Sequence, residues 1–239
     1  MRLEPLLDEP LFFIDHLGGE GGDLVIAFSL IGHDPARRPS PEFVATAIGR
    51  GTGASPRRAL FVMDESRSWG NDPGFAPVLR RALDRVAARA PVTQIATTGQ
   101  SMGAFSALVA ARTLPVDVVV AFSPQWSVMP GVVPGEDRWA RWTARLSRID
   151  WPTAPLPAAG GDRTCLFHGA VDDLPHARHF PCQTGTDQLL FPGLGHFDLV
   201  PHLKVRGVLS GVMEAALAGD RQRILRQRFV DAQDRRDLG

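Results

Sequence analysis

Gly99-Gln100-Ser101-Met102-Gly103 sets a serine with glycine two residues to either side. The pentapeptide follows the β-branched segment 92–98 and opens the apolar, alanine-rich segment 102–113, so it falls at a strand–turn–helix junction. A turn that sharp strains the backbone of its central residue, and small flanking residues let strand and helix approach each other. The hydroxyl then stands above the edge of a sheet, at a helix N-terminus that favours developing negative charge. Covalent attack on an electrophilic carbon is the chemistry that suits a serine so placed, and Ser101 is expected to be that nucleophile.

Serine is a weak nucleophile at neutral pH. It needs a base, and the base needs a carboxylate to orient it. His196 lies in Pro192-Gly193-Leu194-Gly195-His196-Phe197, where a glycine-flexible loop between a strand and a helix can deliver an imidazole. His202 falls inside the following helix and His168 at a strand end. His176 and His179 sit in a proline-started helix, and all four are read as structural or solvated. For the acid, the strand 164–167 runs into His168-Gly169-Ala170-Val171-Asp172-Asp173. Asp172 is the expected partner, with Asp173 the alternative. Adjacent aspartates point differently, so one can orient His196 while the other caps the helix near Pro175. Asp117 begins a strand and belongs to the wrong edge. An oxyanion hole is expected from the main-chain N–H of Met102 and a second N–H after Phe28, from Ser29 or else Leu30.

These residues need a sheet to hold them, and the patterning supplies one. Short apolar runs at 11–14, 24–28, 60–63, 92–98, 116–122, 164–167 and 188–191 alternate with helical patterns at 41–48, 77–90, 102–113, 175–179 and 200–217. That rhythm predicts an α/β protein, a mostly parallel sheet with helices on both faces. Residues 124–163 break the alternation with many prolines and four of the five tryptophans, Trp126, Trp139, Trp142 and Trp151. This insertion is expected to be either a lid over the site or packing against the sheet. Asp64, Glu65 and Arg67 are expected in a solvated loop, Gly49–Gly53 in a flexible one, and residues 220–239 in an exposed helix. The 239 residues suit one domain over 1–239.

Composition excludes several classes. There is no tyrosine, and Lys204 is the single lysine among 26 basic residues. A dehydrogenase with a Tyr/Lys acid is therefore out, as is a phosphate loop requiring Gly-Lys-Ser/Thr, and Schiff-base chemistry would rest on Lys204 alone. The 26 basic and 26 acidic residues cancel, leaving no electrostatic ground for a nucleic-acid or anionic-membrane partner. Cys165 and Cys182 form neither a metal-ligand spacing nor a disulfide framework and are read as reduced. No metal or cofactor is expected. No run approaches the ~18 apolar residues of a membrane span, and the N-terminus lacks a secretory apolar stretch, so a cytoplasmic location is expected.

Taken together, residues 10–217 resemble the α/β-hydrolase superfamily, with Ser101, Asp172 and His196 in the chain order that its members use. More loosely, Asp64-Glu65-Ser66-Arg67-Ser68-Trp69, Ser101-Met102-Gly103-Ala104-Phe105 and Ala121-Phe122-Ser123-Pro124-Gln125 resemble segments of a group of small bacterial α/β hydrolases. The chain departs from lipases and esterases in carrying Phe28-Ser29 where they often have His-Gly. The resemblance implies a serine hydrolase acting on an ester or thioester of a small-molecule acyl substrate. The alternatives are an acyltransferase on the same triad and a non-catalytic binding protein that has kept the fold.

Overall fold

The computed structural model describes residues 2–32, 34, 36–49, 55–158, 163–226 and 233–234. The expected loop 49–53 lies, beyond Gly49, outside them. Nine strands form one sheet: β1 (Glu4–Glu9), β2 (Phe12–Leu17), β3 (Asp23–Phe28), β4 (Arg58–Asp64), β5 (Gln94–Gln100), β6 (Val118–Phe122), β7 (Arg163–Gly169), β8 (Thr186–Phe191) and β9 (Gln233–Asp234). Their spatial order is β1-β2-β4-β3-β5-β6-β7-β8-β9. Strands β3 to β8 run parallel, whereas β1, β2 and β9 add antiparallel edges.

Alternation along each strand divides the core in two. Leu24, Ile26 and Phe28 of β3, with Leu60 and Val62 of β4, face α2 (Phe75–Ala87) and α3 (Met102–Thr113). Val25, Ala27, Phe61 and Met63 face the other way, with α1 (Val44–Ile48), α6 (Leu199–Val205) and α7 (Leu209–Leu217). Helix α2 buries Phe75, Val78, Leu79, Ala82 and Val86, one stripe at helical spacing. In α3, by contrast, every residue from Met102 to Ala110 is buried, because the helix lies wedged against the sheet centre. Two short helices complete the chain to α7: α4 (Ala140–Thr143) in the insertion and α5 (Leu174–His179) after β7.

The crossovers reverse direction at β3: the chain passes outward to β4, then returns across β3 to β5. Loops leaving the carboxyl ends of β3 and β5 therefore part there and open a crevice. Ser29 and Ser101 follow those two ends, and the loops after β7 and β8 reach the same edge.

Three expectations change. Strand β1 precedes the first expected strand; it lies at the sheet edge, where, with a bulge between Pro5 and Leu7, proline is tolerated. The single helix expected over 200–217 is two. Gly207, at φ 68°, takes the left-handed position after α6, with N–H bonds from Gly207 to Lys204 O and from Val208 to Leu203 O, a Schellman ending. The expected C-terminal helix reaches only from Arg221 to Arg226 (α8) among the described residues, and Gln233–Asp234 instead pairs with β8. Among the described residues, no helix is long and apolar enough to cross a membrane.

Candidate active site

The turn after β5 has the strain its sequence implies. Ser101 sits at φ 55°, ψ −120°, a region that non-glycine residues rarely occupy. Both flanking glycines are sterically required. A Cβ on Gly99 would lie 2.4 Å from the Gly103 carbonyl carbon, and one on Gly103 would lie 2.5 Å from Phe28 O. Those contacts bring the start of α3 against the end of β3. Met102, as first residue of α3, has no intrahelical acceptor for its N–H.

His196 is fixed on every side. Its carbonyl accepts Gln100 Nε2 at 3.0 Å and Ser123 Oγ at 3.2 Å, and its N–H donates to Asp172 Oδ1 at 2.5 Å. Its loop comes this close because Gly169 lacks a side chain; a Cβ there would lie 2.5 Å from Gly195 O. The ring then spans two partners: Nδ1 lies 2.7 Å from Asp173 Oδ1 and Nε2 lies 2.9 Å from Ser101 Oγ. A carboxylate at Nδ1 keeps the proton on that nitrogen and leaves Nε2 to accept the serine hydroxyl.

The expected acid, Asp172, is therefore displaced by its neighbour. The Asp173 N–H donates to Gly169 O at 3.0 Å, which tucks the Asp173 side chain inward at 1% exposure, while Asp172 stays 44% exposed and meets His196 only through its main chain. Asp173 also stands at the N-cap position of α5 but makes no side-chain cap bond. Burial alone would raise its carboxyl pKa. The hydrogen bond from His196, with the positive fields of His196, His168 and Arg138, instead holds it below the usual carboxylate range.

Of the two oxyanion donors expected after β3 and β5, Ser29 is ruled out: its N–H is bonded to Val62 O at 3.0 Å across to β4. A strand-like residue cannot serve both the sheet and a ligand with one N–H. Leu30, the alternative, has left the ladder, and its N–H faces the Glu42 carboxyl, which burial pushes up to about 7.

Three further features were not assigned from the sequence. Gln125 is fully buried and donates from Nε2 to Ser101 Oγ at 2.8 Å, while its Oε1 accepts Trp69 Nε1 at 3.4 Å. Trp139 covers the site, its ring 5.6 Å from that of His196 and 6.2 Å from that of Trp69. Arg138 reaches Glu136 at 2.5 Å, Asp173 at 3.5 Å and Asp172 at 3.8 Å. Glu136 also accepts His176 Nε2 at 2.6 Å, and Trp126 N–H caps His176 Nδ1 at 3.0 Å. Burial would raise the Glu136 carboxyl, but the hydrogen bonds from His176 and Arg138 outweigh it and bring it to about 2. Gln125 was legible only as part of a segment, since a glutamine has no titrating signature.

Asp64 and Arg67, expected in a solvated loop, are buried. Arg67 donates to the carbonyls of Ile31, Glu65, Asp34 and Arg37, tying the loop after β3 to the loop after β4. Asp117 accepts Ile95 N–H at 2.8 Å at the far edge, and His202 lies in α6, away from this network. Cys165 and Cys182 are both free thiols. Among the described residues, no group of three His, Cys, Asp or Glu side chains could hold a metal ion.

A serine on a strained turn, a histidine at its hydroxyl and a buried carboxylate behind the histidine form one hydrogen-bonded line at the carboxyl edge of a parallel sheet. No family model matches the sequence, and no curated protein is similar to it. Solved structures are. The capsule O-acetyltransferase of Neisseria meningitidis serogroup A superposes with a TM-score of 0.59 at 12% identity, over 87% of this chain and 92% of that one. An α/β serine hydrolase without a lid from Xanthomonas campestris gives 0.57 at 18%, over 90% and 95%. This chain has the α/β-hydrolase fold. A hyperthermophilic esterase from the archaeon Pyrobaculum calidifontis shares that fold, with a TM-score of 0.57 at 13% identity over 91% and 85%. The neighbours of this fold include esterases and an acetyltransferase.

Proposed function

We propose that this protein is a serine hydrolase that cleaves a carboxylic ester or thioester through Ser101, His196 and Asp173. The observation that carries the proposal is the unbroken line Asp173–His196–Ser101, at 2.7 and 2.9 Å, on a strained turn. Ser101 Oγ attacks the acyl carbon as His196 Nε2 takes its proton, and Asp173 stabilises the resulting imidazolium. The Met102 N–H receives the oxyanion together with the Leu30 N–H on the β3 side, which gives up its bond to the movable Glu42 side chain rather than a ladder bond. Gln125 follows β6, on the opposite side of β5, and holds Ser101 Oγ toward His196. His196 then returns the proton to the leaving group and activates the water that releases the acyl group.

Acyl transfer to a hydroxyl acceptor is the second reading, favoured by one observation: Ser101 has no exposed surface and His196 almost none, under the ring of Trp139. A site that excludes bulk water lengthens the life of an acyl-enzyme. Product analysis with and without added alcohols separates the two. For the common first step, a fluorophosphonate should label Ser101, and Ser101→Ala should abolish labelling and cut ester turnover by about 10³-fold or more. Labelling that survives in Ser101→Ala refutes the nucleophile.

A further inference from the structure

A cavity of about 890 Å³ opens on the face of the sheet covered by α1, α6 and α7. Its walls are mostly apolar: Leu30, Phe43, Val44, Phe197, Val200 and Leu209. At one end stand three neighbours of the candidate site: Leu30 of the oxyanion loop, Gln100 beside Ser101, and Phe197 beside His196. From there the groove follows α6 to Lys204, which has no ion-pair partner among the described residues. Seven residues at 1.5 Å each make this path about 10 Å long.

Resting on the serine-hydrolase reading, we infer that this groove holds the acyl chain of the substrate, and that the chain is medium-length and apolar. Two observations assign the groove to the acyl side rather than the leaving group. It opens at Leu30, on the β3 side of Ser101, where the carbonyl oxygen must lie. The leaving group belongs on the β6 side, where Gln125 holds Ser101 Oγ and Trp139 covers the His196 ring. Leu30 and Glu42 both line this end of the groove, and the Leu30 N–H points at the Glu42 carboxyl there, so a donor for the acyl oxygen is directed into the groove. Phe197, half-exposed and packed edge-on against the His196 ring at 4.8 Å, is the side chain that must turn for the chain to reach the buried serine. Lys204 ends the apolar path. About 10 Å accommodates an extended chain of roughly eight carbons, and longer chains would pass into solvent.

The test uses p-nitrophenyl esters from acetyl to palmitoyl, with Val200→Trp on the α6 wall of the groove and Ser210→Trp on its α7 wall, an exposed position. Burial of a methylene favours binding about fourfold, so wild-type kcat/KM should rise at least ~10-fold from acetyl to octanoyl and then level off. Each tryptophan should lower the octanoyl-to-acetyl ratio about 10-fold or more. In the wild-type protein, which needs no substitution to fold, octanoate should slow fluorophosphonate labelling of Ser101 more than acetate does. A flat acyl-length profile, an unchanged ratio in both variants, or a length response seen instead in acetate esters of long alcohols overturns the inference while leaving the labelled serine intact. Absence of labelling overturns the serine-hydrolase reading itself, and this inference with it.

Discussion

Exchanging each of two adjacent aspartates for asparagine tests the candidate site most sharply, because the two differ in what they touch. Asp173 is buried and its carboxylate lies 2.7 Å from His196 Nδ1. In Asp173→Asn the amide keeps the volume but removes the negative charge that the imidazolium needs, and it can offer an N–H where the ring needs an acceptor. The same change in another Ser-His-Asp enzyme costs about 10⁴-fold in kcat, or ~5 kcal/mol at 1.36 kcal/mol per decade. Asp172→Asn should behave otherwise. Its Oδ1 can still accept the His196 N–H, so a charged hydrogen bond becomes a neutral one at a half-exposed position. The difference is about 1 kcal/mol, or roughly fivefold. The predicted gap between the variants is therefore about 10³-fold. Steady-state hydrolysis of a p-nitrophenyl ester measures it, with thermal unfolding of each variant to show that both are folded. If Asp172→Asn loses as much activity as Asp173→Asn, or more, then the reasoning from ring geometry is wrong.

Two further outcomes follow from the same packing. Gly103→Ala places a methyl 2.5 Å from the Phe28 carbonyl oxygen, a main-chain atom that cannot turn away. It should cost about 1–3 kcal/mol or more and lower the melting temperature by several degrees; an unchanged melting temperature would show that the elbow is looser than described. The second concerns pH. Buried Asp64 has its pKa raised to about 6, first by burial, against ~3.9 in an unfolded chain. The native state thus binds the extra proton between those values, and this group's contribution to stability falls as pH rises from about 4 to 6, by roughly 3 kcal/mol in all. Glu42, raised to about 7, acts with the same sign, whereas Glu136, at about 2, stabilises above its unfolded value and is lost only in acid. Asp64→Asn keeps the acceptor for the Ser66 N–H and should flatten the decline. Urea unfolding at pH 4.5 and 7 would expose the error if both proteins showed equal slopes.

The parts of this site that were legible in the sequence are those that local chemistry dictates. Gly99 and Gly103 are needed because backbone meets backbone there, so the elbow carries its own signature. The Ser101 and His196 assignments rest on strand ends and glycine loops, and the structure puts the two side chains 2.9 Å apart. What decides between Asp172 and Asp173 is not local. It depends on a main-chain bond from Asp173 to Gly169 and on the loop after β8, which supplies the His196 N–H to Asp172. Ser29 was chosen as a donor on position alone, whereas its N–H belongs to the β3–β4 ladder, a pairing that no sequence pattern fixes. Asp64 and Arg67 look like solvated charges until carbonyls from two loops converge on the guanidinium. Their burial is a consequence of tertiary closure.

The insertion at 124–163 is better understood through its contacts than through its composition. A detachable lid would touch the site with apolar side chains and leave the electrostatics to the core. Here the insertion brings charge: Arg138 bridges Glu136 to both Asp172 and Asp173. Glu136 ties the same cluster to His176 in α5, whose other nitrogen accepts a main-chain N–H from Trp126. Without Arg138, three carboxylates would share one small region, and like charges so close disfavour ionisation of each. The carboxylate behind His196 is held ionised first by the His196 hydrogen bond and the His196 and His168 fields, and the insertion's Arg138 adds to them; the insertion's Trp139 covers the His196 ring. Displacing the segment as a unit would break the Arg138 ion pairs, remove one of the fields that lower the Asp173 carboxyl pKa and uncover the His196 ring at the same moment. A smaller movement costs less: Phe197, half-exposed against the rings of both His196 and Trp139, can turn at the margin of the site without breaking the Arg138 ion pairs.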